Sequence, residues 1–75
     1  MQRKNVEISG EGMIAAHLIA RQCVLPVRGV LVAHINGISG KDDPFVNYVD
    51  GKGRPGLLHV DTIRRGGGTI TELAD

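Results

Sequence analysis

Apolar positions along the chain form one long run followed by several short ones. Residues 11–25, EGMIAAHLIARQCVL, are almost continuously apolar. After Pro26 the apolar residues fall into GVLVAHIN, FVNYV, GLLHV and GTITELA, separated by glycine. A helix-length run and then strand-length runs predict one helix and a small, tightly turned sheet.

Val6 and Ile8 alternate with Asn5, Glu7 and Ser9, predicting a short strand over 5–9 with one wet face. The helix is expected over 10–24, with Ser9 as its N-cap, Glu11 at the positive end of its dipole and Pro26 ending it. On a helical projection Met13, Ile14, Leu18, Ile19, Cys23 and Val24 cover most of the circumference. His17 and Arg21 form a polar strip, with Glu11 and Gln22 beside it. A helix this apolar needs more than one packing partner. The glycine-punctuated β region is expected over 28–73. Its elements are a central strand at Gly29–Asn36, a strand at Phe45–Val49, one at Leu57–Val60, a single helical turn capped by Asp61, and a last strand at Thr69–Leu73. Asn36-Gly37 and Gly40–Pro44 are turn and loop signals.

The expected fold class is therefore α+β. One N-terminal helix packs on a small, strongly bent antiparallel sheet, or SH3-like barrel, of about five short strands, all in a single domain 1–75. The strand spacing, with a single turn before the last strand, resembles an SH3-type barrel with an added N-terminal strand and helix. The helix-then-strands order over residues 11–73 is also similar to that of Sm-type RNA-binding barrels. Both resemblances rest on the pattern of elements. The loop sequences that mark Sm-type proteins do not stand at matching positions.

Size changes this picture. A 75-residue chain buries only about 60% of its unfolded surface and is marginal alone. Cys23 is its one cysteine, so no disulfide can form within a chain, and the close cysteine pairs of a structural zinc site are absent. Association with a second copy or a larger protein becomes the expected source of extra stability. The lone thiol fits a cytoplasmic setting. The opening MQRKNVEISG leads into no signal-peptide core, and the apolar run is too short for a membrane span.

Nine Lys and Arg stand against eight Asp and Glu, a net charge of +1. That balance, with Phe45 and Tyr48 as the only aromatic residues, argues against a strongly electrostatic or heavily stacking nucleic-acid binder. The basic loops are still candidates for anions. Lys52 and Arg54 sit in GKGRPG, and Arg64 and Arg65 precede Gly66-Gly67-Gly68. The plainer reading of both is turn chemistry with solvated charges.

His17, His34 and His59 lack short ligand spacing and each lies among apolar residues, so no metal site is expected. Cys23 lies in the most apolar stretch, which disfavours a catalytic thiol. No catalytic set and no cofactor motif is present.

The expected function is a non-enzymatic protein-interaction module: an oligomeric adaptor, inhibitor or accessory protein of the small type common in phages and plasmids. The partner is a second copy or a larger protein, with no membrane involved. Ile14, Leu18, His17 and Arg21 are the candidate interface. The alternative is a small RNA- or DNA-binding barrel using Lys52, Arg54, Arg64 and Arg65, with Phe45 or Tyr48 stacking on a base. A third reading is an enzyme built at a subunit interface around His34, Tyr48 and His59.

Overall fold

In the computed structural model, residues 2–33 and 44–74 are described. The elements run β1 (Gln2–Gly10), α1 (Met13–Ala20), β2 (Val27–Ala33), β3 (Phe45–Val49), β4 (Pro55–His59), α2 (Val60–Arg65) and β5 (Gly68–Glu72). The strands form one antiparallel sheet in the order β4-β3-β2-β1-β5. β4 and β5 are its two edges, so the sheet is open and not closed into a barrel. β2 sits in the middle, where its apolar residues placed it.

Alternation sets the two faces. Inward-facing Val6 and Ile8 of β1, Val27 of β2, Val46 and Tyr48 of β3 and Leu58 of β4 pack against Ile14 and Leu18 of α1 and Val60 and Ile63 of α2. Each large apolar side chain buried in this way contributes about 1.5–3 kcal/mol.

The predicted strand at 45–49 matches β3 to the residue. The helix is much shorter than 10–24. β1 continues through Ser9 to Gly10, so Ser9 is a strand residue and not the N-cap. Gly10 takes φ 133° and backs onto Gly67, whose carbonyl lies where a Cβ on Gly10 would stand. Only glycine fits that close approach. Gly12 is the N-cap in place of a side-chain cap, and Ile14 N–H donates to the Gly66 carbonyl at 3.0 Å. Glu11 lies ahead of the helix and is exposed.

At the other end the helix stops six residues before Pro26. Gln22 turns to φ 63°, Gln22 N–H donates to the Ile19 carbonyl at 2.8 Å, and Cys23 N–H donates to the Leu18 carbonyl at 3.0 Å. This is a Schellman closure with glutamine where glycine is usual, and Cys23 packs on the core beside it.

The predicted strand Leu57–Val60 is displaced: β4 occupies Pro55–His59, and Val60 already begins α2. The side chain capping α2 belongs to His59, whose Nδ1 accepts the Asp61 N–H at 3.0 Å, and not to Asp61. The signals at Asn36-Gly37 and Gly40–Asp43 lie outside the described residues.

Candidate functional site

The β3–β4 hairpin is organised by one carboxylate. Asp50 follows β3 and is buried. Its Oδ1 accepts the backbone N–H groups of Lys52 and Arg54, both at 2.9 Å. Its Oδ2 accepts Arg21 Nη2 at 3.0 Å and Arg54 Nε at 3.3 Å. The Arg54 backbone N–H is the chief influence holding this carboxyl below the usual carboxylate range. Burial works against it, while the Lys52 N–H, the Arg21 guanidinium and the Arg54 charge reinforce it.

Arg21 reaches Asp50 from the end of α1. Its Nη1 donates to the Tyr48 hydroxyl at 2.6 Å, its Nη2 donates to the Pro55 carbonyl at 3.2 Å, and its guanidinium lies 5.2 Å from the Tyr48 ring centroid. Gly56 opposite is required by this arrangement, because a Cβ there would overlap the Tyr48 ring and the Arg21 guanidinium. The group pins the helix end to the hairpin and satisfies its own polar atoms.

This geometry reassigns several candidate residues. Tyr48 is buried with its hydroxyl bonded, so its ring is not presented for stacking on a base. Arg21 serves the fold from within. Ile14 and Leu18 are buried in the chain's own core and not on an outer interface. An all-apolar helix has no periodic signal for which stripe faces inward. The outward stripe carries Met13 and Ile19, together with His17.

The basic candidates form two separate pairs. Lys52 and Arg54 are exposed on the hairpin, with Arg54 tied to Asp50. Arg64 and Arg65 are exposed in the last turn of α2. No hydrogen bond or ion pair joins one pair to the other among the described residues.

The outer face of the sheet supplies what the helix does not. Register aligns Arg3, Val32, Phe45 and His59 in one row across β1, β2, β3 and β4. Asn5, Val30, Asn47 and Leu57 form the next row. Phe45 and His59 meet edge to face with centroids 4.8 Å apart. Val49 pairs with Pro55 and Glu7 with Arg28 at the same end of the face. Leu57 and Val49 are 57% and 62% exposed, and Val24, 84% exposed, lines one shallow depression with Val49 and Arg28. Solvated sheet faces normally read as polar. Here Val49 and Leu57 are exposed, Val30, Val32 and Phe45 are half-buried, and exposed Asn47 stands between Val30 and Leu57, with Arg3, Arg28 and Glu7 at the border. Of these, only Phe45 was singled out from the sequence. The signal for Val30 and Val32 was the apolar character of both faces of β2.

His17 and His59 stand on different elements. His17 is exposed on α1, and His59 stands at the outer face, where its ring nitrogen caps α2. His34 lies outside the described residues. Tyr48 points inward from β3 while Phe45 and His59 face outward, so Tyr48 and His59 cannot share a catalytic pocket on one face. Among the described residues no group of three His, Cys, Asp or Glu side chains is placed to hold a metal ion, and no helix is long and apolar enough to cross a membrane. Comparisons with protein-family models, with curated proteins and with solved structures give no match in any of the three.

Proposed function

We propose that this chain is a non-enzymatic protein-interaction module that pairs with a second copy of itself through the outer face of β2, β3 and β4. The observation that carries this reading is the pair of exposed apolar side chains Val49 and Leu57 on the outer face, beside the half-buried Val30, Val32 and Phe45. Exposed apolar tracts of this kind mark interaction surfaces. The border suits a like partner. Arg28 and Glu7 form an ion pair at 3.6 Å, so both signs of charge are present on one rim, which is compatible with the self-complementary patch of an isologous two-fold contact. With a net charge of +1, two copies meet little long-range repulsion.

A cytoplasmic setting and a sheet bent toward an SH3-like barrel belong to the same proposal. The lone thiol supports the first. The five short strands, with α2 placed just before the last, support the second.

The test is solution mass by light scattering across protein concentration. The expected result is twice the chain mass of 8.0 kDa for the wild type, and a folded monomer for Val49→Asp combined with Leu57→Asp. Both side chains point away from the core, so the fold should survive the change. A wild type that stays monomeric at millimolar concentration overturns the reading.

The row Arg3, Val32, Phe45, His59 favours one competitor, a face that stacks single-stranded RNA on Phe45 and pairs its phosphates with Arg3 and Arg28. Adding a short mixed-sequence RNA at low salt separates the two. A salt-sensitive gain in mass by a monomer would replace self-association with RNA binding.

A further inference from the structure

A second surface lies apart from the sheet face, in the groove where α1 meets the β4–α2 segment. Met13, Ile14 and Leu58 give it apolar walls, and His17, Thr62 and Arg65 stand along it. Its volume is about 360 Å³, near the lower end of the roughly 300–1,000 Å³ typical of ligand sites. It is half open to solvent. A small ligand usually loses 70–90% of its surface to an enclosing pocket. A half-open groove better suits one or two side chains projecting from a backbone that stays wet, as when an amphipathic segment lays its apolar stripe between two helices.

The charges along the groove define the rest of the occupant. Arg65 makes no hydrogen bond or ion pair among the described residues, even though Asp61 lies one helical turn earlier, and neither does the His17 ring. Arg64, beside Arg65, likewise makes none among the described residues. Asp50 and Arg21 satisfy each other inside the fold, whereas Arg65 is exposed along the apolar groove. Met13 is 80% exposed at its lip and gives a flexible thioether surface that adapts to different apolar side chains.

We propose that this groove binds an acidic amphipathic segment of a partner protein. One or two large apolar side chains of the segment enter between Met13, Ile14 and Leu58, and a flanking carboxylate pairs with Arg65. The inference rests on the protein-interaction reading but uses a different surface. The chain would then be an adaptor, with one face for its own copy and one groove for a partner.

Fluorescence anisotropy of the full chain with the labelled peptide EELLEELLEE tests this, with KKLLKKLLKK as the charge-reversed control and decanoate as a small anionic competitor. The acidic peptide should bind in the micromolar range at low salt, and the reversed peptide at least tenfold more weakly. Arg65→Glu and Met13→Lys, both at exposed positions, should each weaken the acidic peptide tenfold or more while circular dichroism stays unchanged. Light-scattering mass should be unaffected by either change, and Leu57→Asp should leave peptide binding intact, so failure of the groove and failure of self-association are separately visible. Equal binding of the two peptides, an affinity insensitive to both substitutions, or no binding of the acidic peptide overturns the proposal. Saturation by decanoate alone, lost in Arg65→Glu, would assign the groove to a small anionic amphiphile instead.

Discussion

The two ends of α1 treat charge in opposite ways. At its C-terminal end Arg21, Tyr48, Asp50 and Arg54 form a network in which the buried carboxylate receives four donors. At its N-terminal end a joint of glycines brings the helix against α2, and Arg64, Arg65 and His17 remain without side-chain partners among the described residues. An arginine in the sequence looks the same in either place. What separates them is whether a carboxylate from elsewhere in the chain consumes the charge. Arg21 serves the architecture, whereas Arg64 and Arg65 are exposed in the last turn of α2.

The most severe way to break this contrast is to remove the carboxylate. Asp50→Ala deletes all four accepted hydrogen bonds and strands Arg21 against the Tyr48 ring with no counter-charge. Removing one partner of such a group costs more than the group's net worth, because the remaining charge stays poorly solvated. The expected result in thermal denaturation is a fall in melting temperature on the order of 10 °C or more, with loss of the hairpin's amide protection before that of β1 and β2. A melting temperature unchanged within error would show that the network is dispensable.

Acid titration acts on the same network more gently. The Asp50 carboxyl sits below its unfolded value, so the stability it confers is present in full above the unfolded pKa, near 4. That stability is lost as pH falls through the lower, folded value. Melting temperature should therefore drop on acidification below about pH 4. Asp50→Asn, which starts less stable, should show a shallower drop over that range. Parallel curves for the two proteins would place the acid sensitivity in other carboxylates.

These same elements show how far the sequence alone could be read. β3 was legible because FVNYV alternates, and the existence of α2 because the glycine triplet ends it, whereas its start at Val60 and its cap at His59 were not. The end of α1 was not. A Schellman closure is signalled by glycine, and here Gln22 takes the left-handed position. The inward stripe of α1 was also hidden. Met13, Ile14, Leu18 and Ile19 are equally apolar, and only the sheet decides that Ile14 and Leu18 go in while Met13 and Ile19 stay out. Asp50 stands before Gly51, a pair that locally signals a turn and nothing further. Its partner Arg21 lies 29 residues earlier, and no local pattern couples the two. The outer sheet face needed register as well, since Val30, Asn47 and Leu57 become neighbours only when three strands align.

The smallest expected effect is the most discriminating for the contrast itself. Arg21→Ala and Arg65→Ala make the same chemical change at the two ends of the structure. Arg21→Ala removes donors from Asp50, Tyr48 and the Pro55 carbonyl at once and should lower the melting temperature clearly. Arg65→Ala, alone or with Arg64→Ala, removes exposed side chains that make no hydrogen bond or ion pair among the described residues. Its effect on stability by denaturant titration should stay within about 0.5 kcal/mol, as for other exposed substitutions without partners. Unfolding curves for the two variants measured together decide the matter. If Arg65→Ala destabilises as much as Arg21→Ala, the α2 arginines are spent on the fold after all, and the groove beside them has no free charge to offer a partner.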